Sequence, residues 1–434
     1  MNASLQRFLD LAAEYLIDSR VGIVRAVGEL PRQAGDPDLF RFTAASARSD
    51  YQDSVHSGGA SLDRATAIAK AIGEVIERYC AGLVDPRALA LSSYRAASVA
   101  CVRPSEFALY SAEQHAQAWF PFTRLDDDTP MRWVPATDLS DRQPRHVPAA
   151  KVFVPYPQLD GEPPIAQSIT TGLASHSTPE DAAINAICEV IERDAFTIAW
   201  QAKLALPHID LQSLGPRSRE LVSRFRCAGD VQLFNLTLDH GVPTILSTLR
   251  ARTPGLPALV FAAAAELDPE RAAIKSLEEL ELMRSFACHV MATRPPLEPA
   301  ADYRNIWTRE EHVQLYCAPD RAALADFLFG SSVVQRLDEL PVLTTRDAAR
   351  DLEVLVERIR SVGERVLIVD LTSPEIAALG LTVVRAIVPG FHPLVFGHVL
   401  RACGGGRLWR VPQALGYPGI TPATGDNPVP HPFP

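Results

Sequence analysis

One stretch of sequence decides the fold: TTGLASHSTPEDAAINAICEVIERDAFTIAW, residues 170–200. Its apolar residues recur with helical spacing between positions 180 and 199, so this part predicts a helix. Thr178 is a good N-cap, with Asp181 three residues further on, and a Thr-Thr-Gly turn precedes it. Backbone N–H groups at such a helix start can meet a phosphate or a carbonyl oxygen, although an ordinary capped loop has the same pattern.

A second copy of this helix occurs about a hundred residues earlier in the chain. INAICEVIERDA (residues 184–195) and AKAIGEVIERYC (residues 69–80) share AI-x-EVIER in register. A weaker third copy, IKSLEELELMR (residues 274–284), places Glu279 at the position of the first motif glutamate. The copies are too far apart for a solenoid, whose repeats span roughly 20–50 residues. We therefore interpret them as equivalent helices that approach one common centre.

Each copy carries residues at i, i+4 and i+7 on one face, followed by an arginine, and these residues are polar or charged in the first two copies. These residues are Lys70, Glu74, Glu77 and Arg78 in the first copy, Asn185, Glu189, Glu192 and Arg193 in the second, and Lys275, Glu279, Leu282 and Arg284 in the third. Carboxylates that lie close together raise each other's pKa unless a cation is present. Magnesium with a polyphosphate satisfies that condition, which predicts ATP binding without a GxxxxGK[ST] loop. A single ExxER stretch, by contrast, is typical of a solvated face with local ion pairs.

Composition restricts the functional class. The 434 residues are 47% hydrophobic and carry a net charge of −10, so the chain lacks the basic footprint of a nucleic-acid binder. No apolar run approaches the roughly 20 residues that span a bilayer, and the first residues do not form a signal peptide. Seven scattered cysteines argue against a disulfide framework, and the histidines lack metal-ligand spacing. These features predict a cytoplasmic α/β protein.

The remaining elements alternate between strand and helix. Residues 231–250 predict a hairpin, residues 258–265 a buried strand, and residues 365–373 and 381–389 two strands with a short helix between them. Further helices are predicted near residues 269–288 and 346–362. After Gly404 the chain is rich in proline, which predicts an extended, polyproline-like tail.

The quoted stretch resembles the central signature of the YcaO family. SGGASLDRATAIAKAIGEVIERY resembles the first ATP motif of that family, ELDPERAAIKSLEELELMR its third, and DLTSPEIAALGLTVVRAIVPGFHPL its C-terminal strand region. The resemblance implies an α/β fold with mixed sheets and acidic helices that line an ATP cleft. It divides the chain into an N-terminal segment (1–50), a YcaO-like ATP-binding catalytic domain (51–407) and a proline-rich C-terminal tail (408–434).

Motif positions carry the family's site residues onto this chain. The resemblance implies that ATP and Mg²⁺ are cofactors and that the metal ligands are Glu74, Glu77, Glu189 and Glu192. The same motifs add ATP-binding candidates, namely Asn185, Arg78, Arg193, Glu279 and Arg284. Three departures stand out: Gly59-Ala60-Ser61 replaces a Gly-Lys-Gly, Lys70 replaces a serine, and Leu282 replaces a glutamine. Lys70 is expected either to reach phosphate in place of the loop lysine or to pair with Glu74.

The chain ends in PHPFP, which resembles the proline-rich terminus of azoline-forming members of the family. For these the implied reaction is ATP-dependent cyclodehydration of Cys, Ser or Thr in a ribosomally made precursor peptide. A base must take the amide proton, and the terminal carboxylate of Pro434 is one candidate for this catalytic role. Thioamide formation, amidine formation and a non-catalytic nucleotide-binding scaffold are the alternatives.

The resemblance also implies partners. Azoline-forming members work with an E1-like or ThiF-like protein that binds the leader of the precursor peptide. About fifty residues precede the first motif here, too few for such a domain, so we expect a separate partner protein. A flavin dehydrogenase is a further expected partner, whereas nucleic acid and membrane are not.

Overall fold

The computed structural model of the protein describes residues 3–33, 35–47, 56–107 and 109–433. Within these ranges the helices are α1 (Ala3–Leu11), α2 (Arg64–Gly82), α3 (Ala112–His115), α4 (Pro179–Gln201), α5 (Pro216–Arg224), α6 (Pro269–Thr293), α7 (Arg309–Leu315), α8 (Pro319–Ala322), α9 (Ala348–Ser361), α10 (Pro374–Ala377) and α11 (Gly406–Ala414). The strands are β1 (Val24–Glu29), β2 (Phe40–Ser46), β3 (His56–Ser61), β4 (Leu91–Ser92), β5 (Met131–Asp138), β6 (Gln143–Pro148), β7 (Leu173–His176), β8 (His208–Asp210), β9 (Gly229–Asn235), β10 (Thr244–Ala251), β11 (Leu259–Ala265), β12 (Val334–Arg336), β13 (Leu367–Asp370) and β14 (Thr382–Ile387).

The strands form three sheets. The first has the order β1-β2-β3, the second β11-β10-β9-β8-β12, and the third β4-β5-β13-β14-β7 with β6 paired to β5. The pairs are antiparallel except for β12 on β8, which is parallel. The α/β class with mixed sheets, predicted from the sequence, is therefore confirmed.

Each repeated helix follows a strand of a different sheet and packs on that sheet: α2 after β3, α4 after β7 and α6 after β11. Asp63, Thr178 and Asp268 are the N-caps, and the side chain of each accepts a backbone N–H of the first turn. In all three helices the first motif glutamate stands eleven residues after its cap (63 to 74, 178 to 189, 268 to 279). The three copies found in the sequence therefore correspond to a repeated strand–turn–helix unit.

The other predicted elements are also present. The hairpin consists of β9 and β10, which pair antiparallel with Asn235 opposite Ile245. Every residue of β11 is buried, as its unbroken apolar sequence predicts. β13 and β14 flank the short helix α10. No helix in the described ranges is both long enough and apolar enough to cross a bilayer.

The prediction of an extended tail after Gly404 is wrong for residues 406–414, which form α11. Leu408 and Val411 supply an apolar face that is buried, and this face outweighs the helix-breaking tendency of Pro412. The predicted boundary at residue 408 therefore falls inside a helix.

The last part of the tail is extended but buried in the core. The indole Nε1–H of Trp200 donates to the carbonyl oxygen of Val429 over 2.9 Å, and the hydroxyl of Tyr316 donates to that of Pro430 over 2.6 Å. Phe433 is only 3% exposed and joins the apolar cluster around α4. These contacts hold the tail against the C-terminal half of α4. Pro434 lies outside the described residues.

Candidate active site

Glu77 joins the first repeated unit to the second. Its Oε1 accepts the backbone N–H of Ser175 over 2.8 Å and the Ser175 hydroxyl over 3.0 Å. Because Ser175 lies in β7, this contact brings α2 against the strand that precedes α4. The two acidic helices therefore meet, as the repeat predicts.

Glu74 and Glu189 make the same contact in their own units. Glu74 accepts the backbone N–H of Gly58 over 3.1 Å, and Glu189 accepts that of Gly172 over 3.0 Å. The two glycines differ in how strictly they are needed. A Cβ on Gly58 would lie 2.7 Å from the end of the flexible Leu282 side chain, which would have to move, whereas one on Gly172 would lie 2.3 Å from a backbone oxygen. Gly172 also has a positive φ of 85°, so glycine is required there.

Arginines lie between these carboxylates. Arg78 pairs with Glu74 over 2.5 Å, while Arg193 lies 3.7 Å from Glu189 and 3.3 Å from Glu192. The i, i+4 spacing seen in the sequence produces both Arg–Glu pairs.

Glu74, Glu77, Glu189 and Glu192 form an acidic cluster, and two of these carboxyl groups have a raised pKa. Burial, with the charges of Glu74 and Glu189, raises the pKa of Glu77 to about 8. Burial also raises the pKa of Glu192 to about 8; Arg193 opposes this rise, whereas the charges of Glu189 and Glu279 add to it. Two carboxyl groups therefore hold protons near neutral pH, and a bound cation would be needed to ionise them fully.

In the described ranges no group of three or more His, Cys, Asp or Glu side chains is positioned to hold a metal ion alone. The four predicted metal ligands are engaged with backbone amides, Ser175 or arginine. Mg²⁺ commonly takes one or two carboxylates and completes its shell with phosphate oxygens and water. The donor set therefore fits Mg²⁺ bound together with a polyphosphate, and the assignment of these four ligands stays a prediction.

In the described part of the chain Lys70 pairs with Glu278 and not with Glu74, while its expected contact with phosphate stays a prediction. Its Nζ lies 2.8 Å from Glu278 and also donates to the carbonyl oxygen of Ala60. The Ser61 hydroxyl donates to Glu278 as well, over 2.8 Å. Glu278 on α6 thus attracts the ammonium away from Glu74, because it is a buried carboxylate that needs a cation.

Arg284 forms buried ion pairs, and its role as an ATP-binding residue stays a prediction. Its guanidinium pairs with Asp36 over 2.6 Å and with Glu281 over 2.8 Å, and Arg41 binds the same two carboxylates. All four side chains are less than a tenth exposed. Arg284 therefore belongs to a closed ion network that ties α6 to the N-terminal segment. Its charge is already neutralised there.

Asn185 and Glu279 keep the positions expected of them. Asn185 is half-buried on α4, one turn before Glu189, and Glu279 is half-buried on α6. The charge of Glu279 acts on both Glu192 and Lys275, so the third unit contributes to the same centre. Lys275 itself lies 3.6 Å from Glu266.

Arg309 is a further candidate site residue, which the sequence did not reveal. It begins α7, and its guanidinium lies 4.4 Å from the ring centre of Phe286. Burial lowers its pKa, and the charges of Glu74, Arg78 and Arg193 also act on it. Nothing in α7 repeats the three-unit pattern, so only the tertiary fold brings this cation to the acidic helices.

The C-terminal tail also reaches the acidic cluster. The guanidinium of Arg193 lies 4.8 Å from the ring centre of Phe433, which itself lies 4.4 Å from that of Phe196. The described chain therefore ends beside the acidic cluster. The predicted catalytic role of Pro434 falls outside the described residues.

Comparison with known proteins identifies the family of this chain. The description of the matching family model, which covers residues 58–392, is YcaO cyclodehydratase, ATP- and Mg²⁺-binding. An uncharacterized protein of Methanothermobacter thermautotrophicus is 31% identical over 60% of this chain and 66% of its own length.

Two solved structures share the fold. A heterocyclase in complex with substrate and cofactor superposes with a TM-score of 0.81 at 22% identity, over 100% of this chain and 57% of its own. The YcaO protein of Methanopyrus kandleri, bound with AMPPCP and Mg²⁺, gives 0.65 at 23% identity, over 90% of each chain. This chain thus spans less than two thirds of the Methanothermobacter relative and of the heterocyclase. The family match covers most of the chain and includes all three repeated units, so the protein belongs to the YcaO cyclodehydratase family and uses ATP and Mg²⁺.

Proposed function

We propose that the protein converts Cys, Ser or Thr residues of a ribosomally made precursor peptide into azolines by ATP-dependent cyclodehydration. The observation that carries this proposal is the meeting of two arginine-bearing acidic helices with the proline-rich tail at Arg193. This arrangement combines the donors for a metal–polyphosphate complex with a segment that can face a peptide.

The residues that would hold the cofactors are distributed over the repeated units. Glu74, Glu77, Glu189 and Glu192 would bind Mg²⁺, with Asn185 and Glu279 beside them, and Arg78, Arg193 and Arg309 would neutralise phosphate charge. Bound ATP supplies the phosphoryl group that turns a backbone amide oxygen into a leaving group. The engagement of Lys70 with Glu278 and of Arg284 with Asp36 leaves both outside this set.

The chain's own contribution is positioning and proton transfer. The substrate side chain attacks the preceding carbonyl carbon, and the amide nitrogen must lose its proton before the C=N bond of the azoline forms. The terminal carboxylate of Pro434 is the proposed base. The buried contacts of Val429 and Pro430 fix the approach of the tail, so the base would be held without a large entropic cost.

The peptide is proposed to arrive with a separate E1-like or ThiF-like protein that binds its leader. The heterocyclase with the same fold is longer than this chain, which matches 57% of its length. A flavin dehydrogenase would oxidise the azolines to azoles. The reaction is proposed to take place in the cytoplasm.

The test is reconstitution with a leader-bearing peptide and candidate partners. We expect ATP hydrolysis to rise when peptide and partner are added, and mass spectrometry to show the loss of one water per ring. Glu189→Gln should abolish both signals, whereas Glu357→Gln on the exposed face of α9 should keep them. Replacement of oxygen by sulfur in the peptide would instead establish thioamide formation.

One observation favours a second candidate, the nucleotide-binding scaffold. Leu282 packs against Gly58 where the family has a glutamine, and Lys70 pairs with Glu278. Both features would remove a polar contact to the nucleotide. Nucleotide binding without any peptide-stimulated hydrolysis, in the presence of the partner, would select the scaffold.

A further inference from the structure

A cavity next to the acidic cluster is lined by three cationic side chains and by no carboxylate of the described residues. It lies between the loop that precedes β7, strand β14 and the chain that follows β14, and its polar lining includes Lys151, Arg385 and Arg193. Phe107, Leu109, Val388 and other apolar residues form most of the remaining wall. No described residue that lines the cavity is an aspartate or a glutamate.

Arg385 is buried in this wall with most of its donors unused. It is 4% exposed, and its Nη2 donates to the carbonyl oxygen of Ile169 over 2.8 Å. Its Nε and Nη1 have no hydrogen-bond partner in the described part of the chain. Burial lowers its pKa to about 10, and the charge of Glu189 opposes that shift. A buried guanidinium with free donors is costly unless something binds it.

Lys151 is the second cation. It ends a short helical turn after β6, and no hydrogen bond or ion pair ties down its ammonium among the described residues. Burial lowers its pKa to about 8, and the charge of Arg385 adds to that shift. Two half-buried cations near the acidic helices do form ion pairs: Arg78 with Glu74 and Lys275 with Glu266. The cavity at Lys151 and Arg385 therefore differs from an ordinary structural ion network.

We propose that Lys151 and Arg385 form a binding site for a phosphate group beside the acidic helices. Phosphate is a small dianion that matches two cations, and a guanidinium fork with two free donors suits its oxygens. Arg193 lines the same cavity and contacts Glu189 and Glu192, so the site adjoins the proposed position of the polyphosphate. The phosphate comes either from the terminal phosphate of the nucleotide or from free inorganic phosphate. This proposal rests on the proposed function only in naming the source of the phosphate.

The test is calorimetric titration of the full chain with inorganic phosphate. We expect Arg385→Met and Lys151→Met each to weaken phosphate binding by roughly 10- to 100-fold, the range for a lost charge-assisted hydrogen bond. Arg385→Lys should retain part of the affinity, and Arg360→Met, an exposed cation on α9, should bind as the wild type does. Unchanged phosphate binding in Arg385→Met, or no binding by the wild type, would overturn the proposal.

Thermal unfolding supplies a second readout that does not depend on turnover. Because Arg385 forms no ion pair with the described residues, Arg385→Met should unfold at the wild-type temperature or above it, whereas a structural arginine would destabilise the fold when lost. Added phosphate should raise the unfolding temperature of the wild type but not of this variant.

Titrations in the presence of nucleotide distinguish the two sources. If the site holds the terminal phosphate of the nucleotide, AMPPCP with Mg²⁺ should block inorganic phosphate while ADP with Mg²⁺ leaves it free to bind. If the site holds released phosphate, both nucleotides should leave it open. Phosphate binding at this site in a protein that never cyclises a peptide would refute the proposed function and leave the site established.

Discussion

The guanidinium of Arg193 contacts both a carboxylate and an aromatic ring: it lies 3.3 Å from Glu192 and 4.8 Å from the ring centre of Phe433. The side chain that neutralises the acidic cluster is therefore positioned by a residue of the tail. Phe433→Ala should remove this contact and the stacking on Phe196. A loss of about 3 kcal/mol in the free energy of unfolding is expected for a buried ring.

Phe433→Leu is the matched control, because it keeps apolar bulk while removing the ring face. Denaturant unfolding should show a cost of less than about 1.5 kcal/mol for it. If the ring positions Arg193, both variants should bind Mg²⁺–ATP more weakly, despite their different stabilities. Wild-type affinity in the leucine variant would show that the tail only fills space.

Glu74→Gln and Glu189→Gln should have equal effects. Each glutamate docks on the amide of a glycine before its helix, and Gln can still accept that hydrogen bond while losing the charge. We expect each change to lower Mg²⁺–ATP affinity tenfold or more in calorimetry, with little change in the unfolding temperature of the ligand-free chain. A large effect in only one of the two would contradict the equivalence of the units.

The ligand-free protein should lose stability as the pH rises from about 4.5 to 8. The folded-state pKa of Glu77 is raised to about 8, so between the two pKa values the folded chain holds a proton that the unfolded chain has lost. Stability therefore falls with pH across this window. Glu77→Gln stays neutral and should unfold several degrees above the wild type at pH 8 but at the same temperature at pH 4.5.

Thermal scans at both pH values, with a chelator present, would measure this. Glu353→Gln on α9 is a suitable comparison because that side chain is exposed. A uniform shift at both pH values would indicate a packing effect and not a titration.

Arg284→Met should destabilise the fold without weakening nucleotide binding. It leaves Glu281, which is fully buried, and Asp36 short of a counter-charge, and breaking a buried pair in this way costs about 3–5 kcal/mol. Chemical denaturation should show that loss. At a temperature where the variant is still folded, its affinity for Mg²⁺–ATP should equal that of the wild type, and a clear decrease would return Arg284 to the nucleotide site.

The sequence predicted the acidic helices well because their signals are local. The caps, the helical spacing and the EVIER repeat placed Glu74, Glu77, Glu189 and Glu192 correctly on helices that meet. Ser175 was missed because it lies in the strand before α4 and not on the helix, and Arg309 and Arg385 were missed because they lie outside the repeated units. Their positions depend on sheet order, which the sequence does not state.

Two of the predicted ATP-site cations form ion pairs that the sequence did not predict, and both have one cause. Lys70 and Arg284 stand at the expected positions on their helices, but buried carboxylates that the pattern did not rank, Glu278 and Asp36, attract them. The tail was misjudged for a related reason. Its many prolines hid two buried apolar residues of α11 and the aromatic ring of Phe433, which were enough to place it in the core.

The hydrogen bonds at the acidic centre join distant parts of the chain: Glu77 to Ser175 spans 98 positions and Ser61 to Glu278 spans 217. Such contacts form only after large loops close, and loop closure slows folding. The centre should therefore be among the last parts of the molecule to become ordered during refolding. In a refolding experiment, nucleotide binding should therefore recover later than the helical signal in circular dichroism.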